Sequence, residues 1–102
     1  MAEDRPGAPA PVRGRVLNKA AAVVNGARQD EYGNPEDNFA LIGELWSVYT
    51  GYDFTPHHVA MMMALLKVAR IKSGTGTEDS YTDACGYIAL AADMRRGTNA
   101  AP

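Results

Sequence analysis

Thr55-Pro56-His57-His58-Val59-Ala60-Met61-Met62-Met63-Ala64-Leu65-Leu66-Lys67-Val68-Ala69-Arg70-Ile71-Lys72 is the stretch on which the fold turns. A capping threonine and a proline at the first helical position open it, and apolar residues then occupy nearly every side of the helix through about Lys72. Only Lys67, Arg70 and Lys72 interrupt the apolar surface. A small monomer does not leave such a helix on its outside, so it is expected to be central or shared with another subunit.

Working outward, Asn34-Pro35-Glu36-Asp37 repeats the cap-and-proline signal and adds two acids where the helix dipole favours them. The helix it opens is expected to turn Phe39, Ile42, Leu45, Trp46 and Tyr49 inward and to close at Gly51. Before it, residues Arg13 to Ala27 carry a stripe of Val16, Leu17, Ala20, Val23, Val24 and Ala27, weakened at Asn25-Gly26. Beyond the central helix, a connector from Gly74 to Thr77 leads to a helix from about Asp79 to Arg96, with Tyr81, Ala84, Cys85, Ile88, Ala91 and Ala92 inward. No segment alternates like a half-buried strand. The expectation is an all-α, four-helix bundle-like domain over residues 13–96, flanked by flexible tails at 1–12 and 97–102, and assembled as a homo-oligomer, dimer or tetramer.

With 102 residues the chain holds one domain, and 46% hydrophobic with 22% charged residues is an ordinary globular composition. A net charge of −2 removes the counterion-release term on which bulk nucleic-acid binding depends. The longest apolar run, Val59 to Leu66, is far below the ~20 residues of a membrane span. The first eleven residues lack the basic start and apolar stretch of a signal peptide. One cysteine, Cys85, cannot form an internal disulfide, so a reducing cytoplasm is the expected compartment.

Several groups can carry chemistry. Asp79 and Asp83 stand one turn apart on one helix face, with Tyr87 continuing the line, and two such carboxylates can hold a divalent cation. Acids at a helix start are equally at home as capping and dipole partners. Lys67 and Arg70 share a face of an apolar helix and call for a compensating anion, either a carboxylate such as Asp79 or Asp83, or a phosphate. The stretch from Arg28 to Asn38 is dense in acids and amides; Asp30, Glu31, Asp37 and Asn38 can complete a metal shell or read a base edge, and Tyr32 can stack on it. His57 and His58 read as surface histidines, Met61 to Met63 as adaptable packing, and Cys85 as an inert core thiol. No P-loop, dinucleotide fingerprint or nucleophile elbow occurs.

The ordered series Arg28, Tyr32-Gly33, Pro35, Phe39, Lys67, Arg70-Ile71, Asp79-Ser80, Asp83 and Gly86-Tyr87 resembles small bacteriophage and prophage proteins related to the MazG-like, all-α nucleotide pyrophosphohydrolases. The resemblance covers roughly Arg28 to Met94. It implies a helical, usually oligomeric protein in the host cytoplasm that uses Mg2+, or Mn2+, to cleave nucleoside triphosphates to monophosphate and pyrophosphate. Carried over, Asp79 and Asp83 become the metal-binding acids, Lys67 and Arg70 phosphate contacts, and Tyr87 the site wall. The family's Glu-x-x-Glu set on an earlier helix is missing here; Glu44 stands alone on the second helix, and it or Asp30, Glu31 or Asp37 is expected to take that part. The alternative is a noncatalytic protein that sequesters a nucleotide signal of host antiphage defence.

Overall fold

A computed structural model describes residues 11–27 and 33–98. Their helices are α1, Val12–Ala22, running on through one π-helical stretch, Val23–Ala27; α2, Pro35–Thr50; α3, Pro56–Ser73; and α4, Glu78–Thr98. No strand occurs among the described residues, in line with the all-α expectation. The π-helical stretch falls on Asn25-Gly26, where helix propensity fails and the backbone hydrogen bonding slips register. Residues 1–10, 28–32 and 99–102, which include most of both expected tails, lie outside the described residues. Helix α4 carries on into the start of the second one, to Thr98.

Each start has a side-chain reason. The Asn34 side-chain oxygen accepts from the Glu36 backbone N–H at 2.9 Å, with Pro35 behind it and Glu36 and Asp37 in the first turn. Because this is the only side-chain cap on α2, Asn34→Ala is expected to cost about 1 kcal/mol, read as a lowered denaturation midpoint at unchanged m-value. Thr55 and His58 form a reciprocal box at the start of α3: Thr55 Oγ1 accepts from the His58 N–H at 3.2 Å, and His58 Nδ1 accepts from the Thr55 N–H at 3.1 Å. His58 is therefore structural rather than merely superficial. Glycines in the left-handed region close α2 at Gly51 and α3 at Gly74.

The core consists of Phe39 from α2, Val59 and Ala60 from α3, and Ala91 and Met94 from α4. The pairing of α3 with α4 is the most extensive; α1 packs on α4, and α2 packs on α3. Small residues set these distances. Gly43 lies against the Phe54 carbonyl, and Gly86 admits Val24 of the π-helical stretch. They also shift the inward faces from those expected. Helix α2 buries Phe39 and Gly43, so Leu45 and Tyr49 turn outward at 60% and 91% exposure. On α4 the buried positions are Ser80, Thr82, Ala84, Gly86, Ala91 and Met94, leaving Tyr81, Ile88 and Ala92 exposed. A helix with neighbours on two sides buries its small residues at both contacts, and the bulky ones are left between. Leu17 of α1 is exposed for a simpler reason: α4 covers only one side of that helix. The central helix α3 buries Val59, Ala60 and Ala64 but leaves Met62, Leu65, Leu66 and Val68 outside.

Candidate functional site

Between the end of α1, the start of α2 and the middle of α4 lies an open cleft of about 240 Å³. Its apolar lining includes Val23 and Val24 from the π-helical stretch, Phe39 from α2, and Tyr87 and Leu90 from α4. The Phe39 and Tyr87 rings meet with centroids 6.0 Å apart and planes tilted by 32°. Asn38, Thr82 and Asp83 supply the polar lining, and Gly86 forms the part of the wall where Val24 comes closest. Sites for drug-sized ligands run to roughly 300–1,000 Å³, so this one is smaller and has room for little more than one small ring.

At the polar side, Lys67 Nζ of α3 meets Asp83 Oδ2 at 3.2 Å, with both side chains mostly shielded from solvent (20% and 29% exposed). Two further ion pairs tie α1 to the first turn of α4. Arg15 grips Glu78 with two hydrogen bonds, of 2.9 and 3.2 Å, and Lys19 Nζ lies 3.4 Å from Asp79 Oδ1. The hydrogen bond from Arg15 holds the Glu78 carboxyl below the usual carboxylate range. The first turn of α4 is capped by its own backbone and Ser80: the Thr77 N–H donates to Ser80 Oγ at 3.3 Å, and the Ser80 N–H to the Thr77 carbonyl at 2.9 Å. Asp83 is thus released from the capping role its spacing suggested, and it faces Lys67 instead.

Of the residues expected to form a site, Asn38, Asp83 and Tyr87 line the cleft and Lys67 reaches it through Asp83. Asp79 is on the same helix but pairs with Lys19 of α1, both well exposed, and is not part of the lining. Arg70 is exposed on α3, where its carbonyl accepts from Gly76. Asp37 and Glu44 are exposed on α2 and are not part of the lining. Glu31 and Tyr32, with Arg28 and Asp30, lie outside the described residues. Among the described residues no three His, Cys, Asp or Glu side chains converge as a metal-binding group. Thr82, Phe39 as a wall and Lys19 as the partner of Asp79 carry no site signal of their own in the sequence. Gly86 was the available signal for the cleft, because a glycine inside a helix marks a close approach.

Comparison with known proteins gives this site a context. The family model described as a domain of unknown function, DUF6378, matches residues 15–95. The chain is 37% identical over 81 residues to the Gene 55 protein of Mycobacterium phage L5, which covers 78% of this chain and 52% of that protein. It is 41% identical over 73 residues to the Gene 55 protein of Mycobacterium phage D29, covering 71% of this chain and 48% of that one. The chain spans about half the length of these curated relatives. No solved structure matches it. No helix among the described residues is long and apolar enough to cross a membrane.

Proposed function

The chain belongs to the DUF6378 family, and from that premise we propose that it is a nucleotide-binding protein of phage origin whose cleft takes the base and whose Lys67 takes a phosphate. The observation that carries this reading is the shielded Lys67–Asp83 pair at the edge of an aromatic-walled, base-sized cleft. A planar base gains dispersion and stacking against Tyr87 and the apolar walls. The Asn38 amide and Thr82 hydroxyl offer a donor and acceptors for its edge. The phosphates are too bulky for what remains and fall at the polar side, where an ammonium already sits in a partly desolvated position. Asp83 holds Lys67 in place until a phosphate displaces it.

Such a protein holds its ligand intact, as a sequestering protein does. The reason is that both carboxylates of the expected metal pair are engaged by lysines, Asp79 by Lys19 and Asp83 by Lys67. A second reading has one observation in its favour: Asp83 lines the cleft one turn from Asp79. Magnesium accepts one or two protein carboxylates when phosphates and waters complete its shell, so Mg2+ fits these residues only in company with a bound nucleotide. In that case the chain is the magnesium-dependent pyrophosphohydrolase of its MazG-like resemblance.

The two readings give opposite signs at one position. If Asp83 competes with phosphate for Lys67, Asp83→Asn strengthens the thermal shift produced by nucleoside mono-, di- and triphosphates, whereas Lys67→Met abolishes it. If Asp83 holds magnesium, Asp83→Asn abolishes the shift, and the native protein plus Mg2+ releases pyrophosphate. A ligand at about a hundred times its dissociation constant adds ~2.7 kcal/mol, on the order of a 10 °C shift for a domain of this size. Native mass spectrometry identifies the ligand retained. Absence of any shift across the full nucleotide panel sinks both readings.

A further inference from the structure

Helix α2 presents Leu41, Leu45 and Val48 along one side, at spacings of four and three, with Tyr49 beside them and Tyr52 just beyond the closing Gly51. All are more than half exposed, Val48 at 85% and Tyr49 at 91%. Helix α3 presents a second such stripe, Met62, Leu65 and Ala69, at spacings of three and four, flanked by Leu66 and Val68. These are the spacings of a helix seam meant to be covered by another helix. Together the stripes expose on the order of 1,000 Å² per chain, against the roughly 800 Å² that each partner buries in a stable interface.

Charge says what covers them. Residues 35–55, containing α2, hold Glu36, Asp37, Glu44 and Asp53 and no lysine or arginine. Helix α3 holds no acid and, besides Lys67, which is paired with Asp83 of α4, carries Arg70 and Lys72. No ion pair among the described residues joins α2 to α3, so this complementarity is unspent within the chain. We infer that the α2–α3 face is the interface of a homodimer in which the α2 stripe of one copy packs on the α3 stripe of the other, and the reverse, about a two-fold axis. An isologous pairing of this kind satisfies both stripes at once and sets Glu44 of each copy near Arg70 and Lys72 of its partner. The competing arrangement, α2 on α2, confronts acid with acid and is disfavoured. This interface lies apart from the cleft, whose walls come from α1, the start of α2 and α4.

Sedimentation equilibrium of the full chain across the micromolar range tests it. The expected mass is twice the 10.9 kDa of one chain. Leu45→Glu and Leu65→Glu, both at exposed positions, each weaken the dimer at least tenfold while helicity by circular dichroism is retained. Glu44→Lys, which leaves the apolar stripe intact, weakens self-association; so does the double change Arg70→Glu with Lys72→Glu; and mixing the two variants restores a heterodimer. A native chain that sediments as a monomer overturns the inference, and so does a dimer indifferent to both glutamate substitutions, which would mean another face associates. Failure of the two charge variants to recover one another on mixing overturns the α2-to-α3 pairing.

Discussion

Phe39→Ala is expected to lower the thermal midpoint by roughly 15 °C or more, the largest effect of any single truncation in α2. Phe39 is the largest residue of the buried cluster, touching a core built otherwise from Val59, Ala60, Ala91 and Met94. Truncating a buried phenylalanine typically costs about 3 kcal/mol or more, as lost transfer energy plus a cavity its neighbours fill only in part. For a domain near 100 residues each kcal/mol is worth roughly 4–8 °C. Met94 and the partly buried Ile42, Met61, Met63 and Leu90 also pack on this cluster and can fill part of the cavity, which keeps the cost near the lower end of that range. The ring also forms the cleft wall against Tyr87, so the same variant loses the nucleotide-induced shift even at a temperature where it is fully folded. Calorimetry with and without nucleotide reads both effects. Leu41→Ala, exposed on the other side of the same helix, is expected to change the monomer's stability by no more than about 0.5 kcal/mol. Equal midpoints for the two variants would mean that α2 does not pack as described.

How far the fold was legible follows from which signals are local. Asn34-Pro35 and Thr55-Pro56 each contain both the capping oxygen and the fixed φ of the first turn, so two helix starts could be read to the residue. The direction in which a helix faces is not local. Helix α2 offers Phe39, Ile42, Leu45, Trp46 and Tyr49 as one apolar stripe; Phe39, Ile42 and Trp46 do pack on the core, but Gly43 takes the closest contact and Leu45 and Tyr49 turn away, because contact with the turn at Phe54 requires a residue without a side chain. Apolar pattern alone cannot tell a seam facing the core from one facing a second molecule, and here α2 has both. The candidate site was legible in the same uneven way. Charge alone offers Asp83 to Lys67, and the two do meet, at 3.2 Å. The same charge argument offers Asp79 to Lys67 and Arg70, but Asp79 sits one turn earlier on α4, where α1 packs, and Lys19 of α1 is the cation it meets. Nothing in the sequence marks Lys19 as that partner, since the contact of α1 with α4 spans sixty residues.

Gly43→Ala is expected to destabilise the protein by about 2 kcal/mol, or roughly 10 °C, although the same change in the middle of an unconstrained helix stabilises by up to ~1 kcal/mol. The sign is decided by one contact. A Cβ at Gly43 would stand 2.7 Å from the Phe54 carbonyl oxygen, a backbone atom that cannot rotate away. The turn that carries this oxygen is itself pinned: Ser47 Oγ donates to the Gly43 carbonyl at 2.7 Å and accepts from the Phe54 N–H at 2.9 Å, and Phe54 packs edge-on against Trp46 with ring centroids 6.0 Å apart. Moving the turn by the few tenths of an ångström that a methyl group needs strains these hydrogen bonds together. It also displaces Thr55 and His58, which start α3. Overpacking of this sort costs about 1–3 kcal/mol, more than the propensity gain can offset. Gly14→Ala is the matched control, because Gly14 also lies within a helix and a Cβ there meets nothing within 4 Å, so propensity acts alone and the protein gains stability. Chemical denaturation of the two variants beside the native chain gives shifts of opposite sign. If Gly43→Ala is as stabilising as Gly14→Ala, the turn at Phe54 does not press on α2, and the rotation that exposes Leu45 and Tyr49 loses its cause.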